Sequence, residues 1–153
     1  MMKPILLDLP MPIRTPRLLI KPREIGEGAS LAKAVNESLE TLKPWMPFAQ
    51  RPATPEDMEA HCREKKAEFI LRKDFVLSIY LRDKQTLIGS TGFHRLNWDV
   101  PALEIGYWIH KNFEGKGLIS ESTNALTRYA FEVFKAKRVE IRCDAENLRS
   151  LSL

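Results

Sequence analysis

An α+β fold, in which a mostly antiparallel central sheet is flanked by helices, is predicted by three observations on the 153-residue sequence. Residues 74–110 carry three strand-like runs joined by short polar turns, the pattern of an antiparallel meander. The stretches 27–46 and 54–73 before it place apolar residues at helical spacing. After it the period switches, and a helical pattern over 118–134 leads into one more short strand.

The elements follow in order. Residues 1–15 read as an irregular arm, punctuated by Pro4, Pro10 and Pro12. Arg17 to Pro22 is a short β-like run ended by proline. Glu27 to Met46 is predicted helical from Leu31, Ala34, Val35, Leu39 and Leu42, with Pro44 breaking it. Trp45, Met46 and Phe48 form an apolar knot, readable as core or as the wall of a cleft. Thr54-Pro55-Glu56-Asp57 is a helix start: a Thr cap, proline at the first helical position, then carboxylates at the positive end of the dipole. That helix is expected to reach Lys73, with Met58, Cys62, Lys65, Phe69 and Ile70 inward and His61 on its surface.

Asp74 to Leu81 alternates, with Phe75, Leu77 and Ile79 on one face. Thr86 to Leu96 and Ala102 to His110 complete the meander. Leu118, Ile119, Ala125, Leu126, Tyr129, Ala130, Val133 and Phe134 fit one face of a helix. Arg138 to Cys143 returns to strand, and 144–153 begins another helical or loop segment. No repeat or linker appears, so residues 1–153 are expected to form one domain, large enough for a sizeable core.

Composition narrows the function. The chain is 44% apolar and 29% charged with a net charge of +4, and acidic and basic residues are interleaved. No basic stripe for nucleic acid emerges. The two cysteines, Cys62 and Cys143, lack metal or redox spacing, and His and Cys are too few and scattered for a zinc site. No apolar run approaches the roughly 20 residues of a membrane span. The N-terminal apolar run is broken by Asp8, Pro10 and Pro12, a poor signal peptide. A cytoplasmic protein is expected, with no nucleic-acid or membrane partner and no metal.

The informative stretch runs from Leu103 to Ser120: a strand, a loop with Gly115 and Gly117, and a helix start. A helix N-terminus presents backbone N–H groups without intrahelical partners and a partial positive charge, so it binds phosphate oxygens. Glycines let a ligand approach the main chain closely. A plain strand–turn–helix connection would need the same punctuation. The standard mononucleotide and dinucleotide loops are both absent.

Five stretches together resemble the GNAT superfamily, specifically its RimJ/RimL-like group of ribosomal-protein N-terminal acetyltransferases. Thr15 to Pro22 resembles that group's opening strand, Ile88 to His94 a central strand, and Glu104 to Trp108 the strand beside the acyl-CoA. Asn112-Phe-Glu-Gly-Lys-Gly117 resembles the pyrophosphate loop, with Asn112 where Gln or Arg is usual, and Asn147-Leu-Arg-Ser150 resembles the N-x-x-S segment. The order is collinear over nearly the whole chain. The resemblance implies further strands after Leu153, so this chain is expected to carry the domain without its last strands.

The resemblance also implies roles. An amine attacks the thioester of acetyl-CoA, the cosubstrate, and a thiolate leaves. Glu104 matches a strand glutamate that serves as base in some members; its other reading is a strand carboxylate paired with arginine. His94 is a second base candidate, because histidine titrates near neutrality. Trp108, Ile109 and His110 are expected to offer main-chain bonds to the pantetheine arm. Asn112, Gly115, Lys116, Gly117, Leu118, Ile119 and Ser120 are expected to hold the pyrophosphate, and Asn147 to touch the pantetheine or order local water. Ser150 would donate a hydrogen bond to the thiolate or cap the last helix. The acceptor is an amine, of a protein N-terminus or of a small molecule, and a homodimer fits the resemblance. The competing readings are a non-catalytic acyl-CoA-binding module and a structural domain without cofactor.

Overall fold

The computed structural model describes residues 3–42, 51–83 and 85–142, without the side chains of Thr41 and Leu42. The readings of Pro44, Trp45, Met46, Phe48, Cys143, Asn147 and Ser150, and of the segment 144–153, lie outside the described residues. Among the described residues six strands form one sheet: β1 (Ile13–Arg14), β2 (Leu18–Pro22), β3 (Phe75–Leu81), β4 (Leu87–Asn97), β5 (Ala102–Ile109) and β6 (Arg138–Ile141). They lie side by side in chain order. The first four pairings are antiparallel and β5 with β6 is parallel. The helices are α1 (Gly28–Glu37), α2 (Leu39–Leu42), α3 (Pro55–Ile70) and α4 (Leu118–Glu132).

Alternation along the strands divides the sheet into two faces. Phe75, Leu77 and Ile79 of β3, Phe93 of β4, and Leu103, Ile105 and Ile109 of β5 meet Leu118, Leu126, Tyr129 and Ala130 of α4 in the main core. α4 is the crossover between the parallel strands β5 and β6, which is why it must cover that face. On the opposite face Trp108 and Leu87 pack with Leu31, Ala34 and Val35 of α1 and Cys62 of α3. Burial pushes the Cys62 thiol up to about 11.

Several boundaries differ from the sequence reading. The arm contains a 3₁₀ turn at Pro4–Leu6, and Ile13 and Arg14 pair with Ile20 and Leu19. The first helix stops at Glu37, and Ser38 interrupts it before α2; the Ser38 hydroxyl accepts a bond from the Lys111 N–H at 3.0 Å. The Thr54 cap forms as expected, its oxygen accepting from the Asp57 N–H at 3.1 Å. α3 ends at Ile70, which is exposed rather than inward, because Arg72 turns the chain with φ +60. His61 is half-buried rather than a surface residue, and burial with the Arg23 and Lys65 charges lowers it to about 4.

A buried polar network between α1 and the sheet was not foreseen. The Arg23 guanidinium, 2% exposed, donates to Ser78 Oγ at 3.0 Å and Ser90 Oγ at 2.7 Å. Glu27 accepts from the Ser78 hydroxyl at 3.1 Å and from the Tyr80 hydroxyl. Burial first, then Glu27, raises the Tyr80 phenol above its usual range. The opposite charges of Arg23 and Glu27 and these bonds offset desolvation that would otherwise exclude both from the interior.

Candidate active site at the start of α4

The site begins where β5 ends. His110 follows Ile109, a 3₁₀ turn spans Lys111–Phe113, and α4 starts at Leu118. Gly115 and Gly117 have φ of +74 and +76, the left-handed region that a side chain disfavours. Gly117 is the cap residue, and no side chain caps the helix. Gly115, Lys116 and Gly117 are exposed, Leu118 is buried in the core, and Ile119 and Ser120 are half-buried. The first turn of α4 therefore opens outward while Leu118 anchors it. Its N–H groups lack intrahelical acceptors and carry the positive end of the dipole.

A residue cluster from the N-terminal arm braces this turn. Arg17 Nη1 donates to the Lys116 carbonyl at 2.9 Å, and Arg17 Nε donates to Glu121 Oε1 at 2.7 Å. Glu121 Oε2 accepts from the Arg17 N–H at 2.9 Å and the Thr15 hydroxyl at 2.5 Å. Burial works to raise the Glu121 carboxyl, but the bonds from Thr15 and Arg17 outweigh it and hold it below the usual range. The sequence reading missed this cluster. Its one local signal was Glu121, the sole acidic residue in the first turn of α4.

His110 links the same turn to α1. Its ring is buried, Nε2 lies 2.8 Å from Glu37 Oε1, and Nδ1 accepts from the Asn112 N–H at 3.1 Å. Those bonds place the proton on Nε2. The His110 bond comes first among the causes that hold the Glu37 carboxyl below its usual value. The His110 N–H donates to the Ile88 carbonyl at 2.6 Å, and its carbonyl accepts from the Phe113 N–H at 2.9 Å. Trp108 and Ile109 bury their side chains on opposite faces of the sheet.

Glu104 lies on β5 opposite His94 of β4 and Glu140 of β6, all three on one face. Its carboxylate is 3.6 Å from Arg142 Nη1 and 4.0 Å from Arg95 Nε, both arginines largely exposed. Glu104 is thus a largely buried strand carboxylate flanked by two arginines, the paired reading of the sequence. His94 Nδ1 is 2.6 Å from Asp74 Oδ1. Burial works to raise the Asp74 carboxyl, but the His94 bond and the Lys65 charge help to keep it low. The imidazole leans over paired glycines: a Cβ on Gly92 would sit 2.9 Å from His94 Nε2, and one on Gly106 3.5 Å from His94 Cδ2. Among the described residues Nε2 has no hydrogen-bond partner.

The sequence profile of the acetyltransferase (GNAT) domain matches residues 17–153. The chain belongs to the GNAT acetyltransferase family. The GNAT relative YdaF of Bacillus subtilis (strain 168), named provisionally as a ribosomal N-acetyltransferase, is 30% identical over 137 residues, 87% of this chain and 72% of YdaF. Two solved GNAT structures share the fold. The ribosomal L7/L12 α-N-protein acetyltransferase RimL, in complex with coenzyme A, has a TM-score of 0.84 at 20% identity, over 93% of this chain and 80% of that one. The microcin C7 self-immunity acetyltransferase MccE, in complex with acetyl-CoA and AMP, has a TM-score of 0.83 at 20% identity, over 90% and 76%. The expected GNAT fold, a mixed and mostly antiparallel sheet with flanking helices, is therefore the fold observed. Within the GNAT frame, the described part of the site brings the glycine turn, Trp108, Ile109 and Glu104 along one strand–turn–helix unit.

Proposed function

We propose that residues 1–153 act as one acyl-CoA N-acyltransferase domain whose acceptor is a protein N-terminal amine, and that the residues described above divide the work. As a GNAT acetyltransferase the domain moves an acetyl group from acetyl-CoA to a primary amine. One observation carries the assignment of the donor site: an uncapped α4 N-terminus behind two left-handed glycines at the end of β5. Asn112 and Gly115 to Ser120 take the pyrophosphate, and the main chain of Trp108 and Ile109 takes the pantetheine arm. Asn147 touches the pantetheine arm, and the Ser150 hydroxyl donates a hydrogen bond to the leaving thiolate.

The amine must reach the thioester carbonyl neutral. Glu104 accepts its proton, directly or through water. The Asp74–His94 pair is a second acceptor, favoured by its geometry: Asp74 holds the Nδ1–H and leaves the Nε2 lone pair open. A backbone N–H stabilises the oxyanion as the C–N bond forms and the C–S bond breaks.

The protein N-terminus is chosen over a small amine because YdaF and RimL carry ribosomal names, with MccE marking the other class. A ribosomal acceptor places the reaction in the cytoplasm, and no described helix is long and apolar enough to cross a membrane. A homodimer is part of the proposal. Mass spectrometry of N-terminal peptides, polyamines and aminoglycosides incubated with acetyl-CoA tests it. The α-amine of a peptide is expected to gain acetyl, and Glu104→Gln to lose about 100-fold in kcat while still binding coenzyme A. Coenzyme A binding with no acetylation of any amine would instead mark a binding module.

A further inference from the structure

We propose that Arg17, the residue just before β2 and far from α4 in sequence, is a positioning residue for the diphosphate of the acyl donor. The inference rests on the donor site proposed above and adds a residue outside it. Arg17 holds the peptide between Lys116 and Gly117. A trans peptide is planar, and its C=O and N–H point in opposite directions. The cis bonds among the described residues lie at Met11–Pro12 and Val100–Pro101, so this peptide is trans. Arg17 Nη1 donates to its carbonyl at 2.9 Å. Fixing the carbonyl on the Arg17 side fixes the Gly117 N–H on the other side. No described residue accepts a bond from that N–H.

Without such a bond this peptide would rotate easily. Gly115 and Gly117 flank it, both at positive φ, and all three loop residues are exposed. The guanidinium is itself held in place. Glu121 receives Arg17 Nε at 2.7 Å, the Arg17 main-chain N–H at 2.9 Å and the Thr15 hydroxyl at 2.5 Å. Arg17 Nη2 stands 3.5 Å from where a Gly117 Cβ would be, which puts the guanidinium alongside the turn. Glu121 belongs to the first turn of α4, so β2, the arm and the helix start are joined at one point. The arrangement sets the direction of a loop N–H before the donor arrives, which lowers the cost of ordering the loop on binding.

The test compares two donors. Acetyl-CoA carries the diphosphate; acetyl-pantetheine carries the same thioester without it. Arg17→Gln is expected to raise the Kd for coenzyme A and the KM for acetyl-CoA about tenfold, the loss of one charge-assisted bond. Its kcat at saturating acetyl-CoA, and its kcat/KM with acetyl-pantetheine, are expected to stay within about twofold of wild type. Unchanged coenzyme A affinity in the folded variant overturns the proposal. So does an equal loss with both donors, which marks a general structural defect. If Arg17→Gln does not fold, Glu121→Gln, which keeps the guanidinium but frees it, is judged by the same comparison. A wild-type chain that binds no coenzyme A defeats the donor-site reading itself, a distinct result.

Discussion

Glu121 is the residue on which the geometry of the α4 turn converges, and its charge has a consequence for pH. Its folded carboxyl is held below the ordinary value of 4.5. Folding therefore favours the ionised form, and the stabilisation is complete above the unfolded pKa and fades as pH falls through the lowered one. Glu121→Gln is expected to destabilise by about 1–3 kcal/mol at pH 7, since bonds to a charged, largely buried group are lost. Urea denaturation at pH 7 and pH 3 checks this: the gap between variant and wild type should narrow at the lower pH, and an equal gap at both would contradict it. Residue-level readings succeeded where chemistry is local, as for the Thr54 cap and the inward Cys62. They failed where a partner is distant in sequence. Nothing near Arg17 announces Glu121, and nothing near His110 announces Glu37.

Elements were legible in proportion to their periodicity. α3 and α4 and the strands β3 to β5 carry strong patterns and capping signals, and each formed within a few residues of its expected bounds. Weakly signalled boundaries were set by tertiary bonds. Ser38 ends α1 where the periodicity ran on, because its hydroxyl serves the Lys111 N–H. β1 is two residues long and exists through its pairing with β2. The α3 cap gives a prediction for this scale. Thr54→Ala is expected to cost about 1 kcal/mol of stability. It should leave coenzyme A affinity unchanged, because the cap lies at the far end of a helix that does not form the α4 turn. Denaturation paired with calorimetric titration reads both quantities, and a weakened coenzyme A affinity would show that α3 participates in the donor site.

At the scale of the molecule, the fold class was legible because a meander of three strands admits few arrangements, and a helix leading to a further strand requires a crossover. The buried Arg23–Glu27 network was not, since charged residues in sequence read as surface. The glycine turn was legible as a strand–turn–helix connection, which the family resemblance alone read as a pyrophosphate loop, and its bracing by Arg17 was visible in the fold alone. Both faces of the sheet converge on that turn: Leu118 ties it to the main core, and His110 ties it to α1. The central claim is that main-chain N–H groups there hold the donor's diphosphate. Amide shifts of ¹⁵N-labelled protein during titration with coenzyme A measure this directly. The account predicts saturable shifts at the amides of residues 115–120, Gly117 among the largest. Saturation of binding with those amides unmoved would contradict it.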